Sequence, residues 1–282
     1  MRRFAFLSLA ALAMASCNEP KAGQPVVTVD LDDETAPLSE TADGAATPAT
    51  SGLRPETSVC SPVSFETVDL THCVADPDKH AIGVVYGPAG SETPYGTLGT
   101  FARTADAATI AFAMNGGAFS DDLKPRGYLV TSGDRLAELD RGSGESNFHM
   151  KPNGVFFGSN GRWRVIATNR FFSTVRERPQ FGTQSGPMLL VDGELGAAIS
   201  ENGNSRAIRN AVGVSDDGKA HFVIANAPLS FGQLARFFRD ELSVKNALFL
   251  DSNSSSLWDP ATGRMDTGRT GPILVVTKKG AS

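Results

Sequence analysis

Thr109-Ile110-Ala111-Phe112-Ala113-Met114-Asn115-Gly116-Gly117 is the stretch on which the fold turns. An apolar run of strand length, Thr109 to Met114, stops at an Asn-Gly-Gly turn signal, which reads as a strand buried on both faces. The same grammar extends in both directions. Upstream, Val63 to Leu70 partly alternates and Ala81 to Tyr86 is a compact apolar run ended by Gly87-Pro88. Downstream, three hairpins are expected: Gly127 to Leu139 turning at Ser132-Gly133-Asp134, Gly154 to Ala167 turning at Ser159-Asn160-Gly161, and Ala211 to Ala225 about Asp216-Asp217-Gly218. Pro187 to Val191, Ala247 to Leu250 and Pro272 to Thr277 supply further strands. Two segments read as helices. Gly96 to Ala108 places Leu98, Phe101 and Ala105 on one side, and Phe231 to Leu242 carries an apolar face with Ser230 as N-cap. With no fixed-period repeat and no second linker, the expectation is an α+β fold: one domain of mixed β-sheet with several hairpins and a few helices, over residues 60–282.

The chain has 282 residues, of which 40% are hydrophobic, enough for a sizeable core and too many for wholesale disorder or a collagen-like repeat. Three cysteines are too few for a disulfide scaffold, and a net charge of -5 offers no field to draw in nucleic acid. That charge is unevenly placed. Residues 18 to 59 hold eight acids against Lys21 and Arg54, contain no aromatic residue, and are rich in Ala, Thr, Pro and Ser. Such a segment buries too little apolar surface to offset the entropy of ordering, so a disordered linker is expected from 17 to 59.

Residues 1 to 16 carry Arg2-Arg3, an apolar run from Phe4 to Met14 and two small residues, the pattern of a secretory signal peptide too short to span a bilayer. Met14-Ala15-Ser16-Cys17 resembles a bacterial lipobox with Met in place of Leu, which makes Cys17 the expected site of lipidation. The expected location is then an exported lipoprotein, periplasmic or anchored at the outer membrane through its N-terminal lipid. An ordinary cleaved signal followed by an incidental cysteine is the competing reading. In an oxidising compartment Cys60 and Cys73 read as a disulfide fastening the start of the domain, with two reduced core thiols as the alternative.

Polar and glycine clusters fall at strand ends: Asn115-Gly116-Gly117, Gln184-Ser185-Gly186-Pro187, Arg209-Asn210 and the run from Asp251 to Ser256. Each alone reads as a turn; strand ends that converge in a fold are also where sites form. Their ordered series resembles the bacterial phosphodiester glycosidase family. It comprises Ala113 to Phe119, Pro125 to Tyr128, Ser146-Asn147-Phe148, Lys151 to Phe156, Gln184 to Leu189, Arg209 to Gly213, and Leu250-Asp251. This family is related to the uncovering enzyme that removes N-acetylglucosamine from a sugar phosphodiester. The resemblance runs from about Ala81 to Val276.

It implies hydrolysis of a glycosyl-1-phosphodiester in cell-envelope or exopolysaccharide material. A catalytically weak glycan-binding lipoprotein is the alternative. By the same resemblance Asp251 is the expected general base or nucleophile, Arg209 grips the phosphodiester, and Asn115 acts beside them. Gly116 and Gly117 are expected to donate backbone N–H groups to the same region. Gln184, Ser185, Gly186, Asn210, Ser254 and Ser255 are the remaining expected ligand contacts. Relatives usually carry Asp-Gly where this chain has Asp251-Ser252. The sequence shows no required cofactor and leaves a divalent cation open.

Overall fold

The structure is a computed structural model and describes residues 57–250 and 254–280. The expected signal peptide, Cys17, nearly all of the expected linker, and Asp251 lie outside the described residues.

Antiparallel strands dominate, as the run of short apolar segments predicts. A seven-stranded sheet has the order Cys60–Phe65, Val68–Ala75, Ala220–Ala225, Asn210–Val214, Asn246–Phe249, Met188–Val191 and Glu194–Leu195. A five-stranded sheet runs Asp134–Ala137, Leu129–Thr131, Phe181–Ser185, Gly154–Ser159 and Arg162–Ala167. A second five-stranded sheet runs Arg264–Met265, Leu257–Asp259, Ile110–Asn115, Ile273–Lys278 and His80–Val85. Gly96–Thr97 and Arg269–Thr270 form a short fourth ladder.

Every pairing among the described strands is antiparallel, so the sheets are not mixed as the sequence reading had it. The connections explain this. Parallel neighbours need a crossover of a dozen or more residues, usually a helix, whereas six of the fifteen pairings here join consecutive strands through short turns, which fixes those pairs as antiparallel. In the turns at Ser132-Gly133, Asn160-Gly161 and Asp192-Gly193 both residues are left-handed, the geometry that matches the twist of the flanking strands.

Two expected elements differ. The segment Val63 to Leu70 is not one strand, because Glu66 and Thr67 adopt φ of 46° and 68° and turn the chain back on itself. That hairpin puts Cys60 directly across from Cys73, and the two form a disulfide. The helix expected over Gly96 to Ala108 is reduced to Leu98–Ala102, with Thr97 as its N-cap. The helix after Ser230 is present. Ser230 accepts from the Gln233 N–H while the Gln233 side chain accepts from the Ser230 N–H, a capping box, and Phe231–Arg236 continues into a π-helical turn, Phe237–Glu241.

The three large sheets meet on aromatic side chains. Phe222 of the seven-stranded sheet stands edge-on to Phe112 (5.1 Å between centroids) and Phe156 (5.8 Å), one from each five-stranded sheet. Phe156 also packs on Phe181. On its other face the seven-stranded sheet is covered by Leu234, Phe237 and Phe238. This packing fixes the sheets at one end, where the strands finishing at Asn115 and Ser185, and the one starting at Asn210, come together.

Candidate functional site

Strand Ile110–Asn115 is buried along its whole length and delivers the Asn115 amide to a seam between two sheets. Asn115 Oδ1 accepts from Asn210 Nδ2 at 2.7 Å and from the Ser256 N–H at 2.9 Å. Asn210 Oδ1 in turn accepts from Ser255 Oγ at 3.3 Å. Both asparagines are fully buried. Four residues singled out by the sequence therefore meet: Asn115, Asn210 and Ser255 through side chains, and Asn210 and Ser185 through Leu250. The Leu250 N–H donates to the Asn210 carbonyl (3.0 Å), and Ser185 Oγ donates to the Leu250 carbonyl (2.9 Å). The residue before Asp251 is thus held at both of its backbone polar groups.

Several groups expected to face a ligand face protein instead. The Gly116 N–H donates to the Pro272 carbonyl (2.7 Å) and the Gly117 N–H to Thr183 Oγ1 (3.0 Å). Gly117 is required for packing, since a Cβ there would collide with the Gln184 backbone carbonyl. The Gln184 amide is fully occupied. Its oxygen accepts from the Tyr128 and Asp140 N–H groups, both at 2.9 Å, and its nitrogen donates to the Asp140 carbonyl and Thr168 Oγ1. Gln184 thereby clamps the loop that starts at Asp140.

Arg209 is different. It is 2% exposed, with Nε donating to the Leu229 carbonyl (3.1 Å) and Nη2 to the Ser205 carbonyl and hydroxyl. Its guanidinium carbon lies 3.7 Å from the centroid of the Phe231 ring and 5.6 Å from that of Phe249. Among the described residues no carboxylate pairs with it and Nη1 has no partner. Burial alone lowers its pKa to about 10, which leaves it charged at neutral pH. Ser254 Oγ and Ser256 Oγ are likewise buried with no partner among the described residues. Both lie against Gly268, where a Cβ would collide with the Ser256 hydroxyl and stand 3.1 Å from Ser254 Oγ.

In front of Leu250 opens a cleft of about 350 Å³. Gly186, Phe249 and Leu250 line it from the strand ends, Asn147 and Phe148 from the following loop, and Arg126 from the other wall. Arg126 Nε donates to the Phe119 carbonyl, leaving its terminal nitrogens without a partner among the described residues. Asp121 and Glu145 also line the cleft, and sequence reasoning passed over Glu145 altogether. A loop acid has no local signature that separates a cleft wall from a solvated turn. His149 faces Ser146 and Asp140 rather than the cleft. Among the described residues no three His, Cys, Asp or Glu side chains come together as a metal-ligand set.

The phosphodiester glycosidase family profile matches residues 108–268, more than half of the chain. The uncharacterized protein YigE of Escherichia coli (strain K12) is 28% identical over 197 residues, covering 70% of this chain and 76% of that protein. Among solved structures, the catalytic domain of zebrafish N-acetylglucosamine-1-phosphodiester alpha-N-acetylglucosaminidase, auto-inhibited by its pro-peptide, superposes with a TM-score of 0.53 at 15% identity, covering 77% of this chain and 81% of that one. A hypothetical protein from Synechocystis gives a TM-score of 0.51 at 16% identity over 78% of this chain and 61% of its own. At these identities the two structures share the fold.

Proposed function

The chain belongs to the phosphodiester glycosidase family, and on that premise we propose that it hydrolyses the bond between an anomeric carbon and a phosphodiester oxygen in a glycosylated cell-envelope or exopolysaccharide polymer. The observation that carries this reading is the buried Arg209 guanidinium with no carboxylate partner among the described residues. A buried cation left without a counter-charge is costly, and an anionic ligand supplies one.

In the proposed reaction the Asp251 carboxylate takes a proton from water as the water oxygen bonds to the anomeric carbon. The bond from that carbon to phosphate breaks, and the electron pair leaves with the phosphate. Arg209 stabilises the charge that grows on the departing oxygens, in a site where water is scarce and a fixed cation acts strongly. Because a phosphate bound by a cation is a good leaving group, no second carboxylic acid is invoked. Asn115, Asn210 and Ser185 are positioning residues in this scheme, holding Leu250 and hence the approach to Asp251. Export and lipidation at Cys17 belong to the same proposal and place the enzyme beside such polymers.

The experiment is release of free sugar from UDP-N-acetylglucosamine and from aryl glycosyl phosphodiesters. Turnover abolished by Asp251→Ala supports the reading, and sugar binding without release across the panel replaces it with a glycan-binding module. Cys17→Ser is expected to move the protein from the membrane fraction to the soluble one; unchanged partitioning removes the anchor.

A further inference from the structure

A second cleft, of about 530 Å³, lies between the edge strand Asp134–Ala137 and the helix Thr168–Thr174. The helix turns Phe171 inward against Tyr128 (5.0 Å between centroids) and leaves Phe172 57% exposed at the rim. The Arg141 guanidinium sits 4.2 Å from the centre of the Phe172 ring. Arg135, Arg176 and Arg178 also line the cleft, against only Glu138 and Glu177. Glu138 is taken up by Arg135 at 2.8 Å, whereas Arg141 and Arg176 have no carboxylate partner among the described residues. A lone exposed aromatic needs no explanation. An exposed ring beside two guanidiniums that have no carboxylate partner among the described residues, in a chain of net charge -5, is a more specific arrangement.

We propose that this cleft binds an anionic polysaccharide chain, with the guanidiniums on its carboxylate or phosphate groups and Phe172 against the apolar face of a sugar ring. Planar guanidinium forks suit both oxyanions, and an aromatic face suits a pyranose. One loop lines both clefts: Leu139 and Arg141 contribute to this one, and Glu145, Ser146 and Asn147 to the cleft at Leu250. Gln184 fixes that loop by both backbone groups of Asp140. The two clefts thus share a wall, and a role for this one as a substrate-holding subsite rests on the hydrolase reading. Single-stranded nucleic acid also combines phosphates with stacking, but its binding relies on a basic groove following the backbone, and here the basic groups are confined to one cleft.

The test is a binding isotherm of the full chain carrying Cys17→Ser, so that no acyl group contributes, on immobilised polygalacturonate and phosphomannan. Dextran, oligodeoxythymidine and phosphatidylglycerol vesicles serve as the other ligands. The expected result is salt-sensitive binding to at least one acidic polysaccharide, weaker by about tenfold in Arg141→Glu/Arg176→Glu and by several-fold in Phe172→Ala. Unfolding midpoints confirm that the variants are folded; should the charge reversal shift its midpoint, Arg141→Gln/Arg176→Gln is read instead. Undiminished binding in the double variant overturns the proposal, as does equally tight binding to oligodeoxythymidine or to vesicles. No turnover is needed for this readout. Sugar release from small phosphodiesters with no effect of the cleft variants on polymer binding defeats this inference alone, and variant-sensitive polymer binding without any sugar release defeats the hydrolase reading alone.

Discussion

Arg209 and Asn210 are neighbours in sequence, equally buried, and put to opposite use. At the seam around Asn210 the polar groups close on one another: Asn115 and Asn210 exchange hydrogen bonds, and each also holds a serine of the segment after residue 253. Gln184, a few strands away, has every donor and acceptor occupied. Around Arg209 the protein supplies two rings, two carbonyls and a hydroxyl, but no negative charge among the described residues. The first pattern fastens sheets together. The second leaves a charge with no carboxylate partner among the described residues, the pattern that the proposed role of Arg209 in binding an anion rests on.

The sharpest way to break this contrast is at the proposed base. Asp251→Ala is expected to lower turnover by about a thousandfold in an assay of sugar release, and an active Asp251→Ala protein removes that residue from the mechanism. Next comes Arg209→Gln, for which a loss of about a hundredfold is expected, seen mainly with phosphodiester substrates. If turnover is untouched while the unfolding midpoint drops, Arg209 is part of the framework and the contrast collapses. Asn115→Ala should behave in the reverse sense. It strands the Asn210 amide and the Ser256 N–H, so a stability loss of about 2 kcal/mol is expected by denaturant unfolding, with activity falling only as far as Leu250 loses its placement.

The smallest effect is one of pH, far along the seven-stranded sheet. His72 Nε2 and His221 Nδ1 lie 3.0 Å apart, and His221 Nε2 is 2.9 Å from Ser215 Oγ. Burial is the main cause that lowers both pKa values, that of His72 to about 4, with the neighbouring His221 adding to the effect on His72. A base whose folded pKa lies below its unfolded value near 6.5 binds fewer protons when folded. Stability is therefore full above about pH 6.5 and declines as the pH falls towards 4. Between pH 7 and 5 the unfolding midpoint of His72→Gln should fall less than that of the wild type; an identical fall excludes the pair as its source.

Much of the fold was legible because local signals and tertiary packing agree. The buried run before Asn115, the turns at Ser132-Gly133 and Asn160-Gly161, and the Ser230 cap each carry their reason in adjacent residues. The turn at Glu66-Thr67 does not, since neither residue is one that left-handed backbone favours. Nor does the helix Thr168–Thr174, which is short and lacks a side-chain N-cap. For the site, the sequence indicated which strand ends converge, and Asn115, Ser185, Asn210 and Ser255 do converge. It gave no indication that the Gly116 and Gly117 N–H groups or the Gln184 amide would be occupied by protein. Their partners, Pro272, Thr183 and Asp140, are brought near only by the packing of the sheets.

The most direct measurement is hydrolysis of UDP-N-acetylglucosamine, or of an aryl glycosyl phosphodiester, in water enriched in oxygen-18, with the phosphorus product followed by ³¹P NMR. Attack at the anomeric carbon predicts sugar release with no heavy oxygen in the phosphate. Heavy oxygen in the phosphate, or no hydrolysis of any sugar phosphodiester, contradicts it.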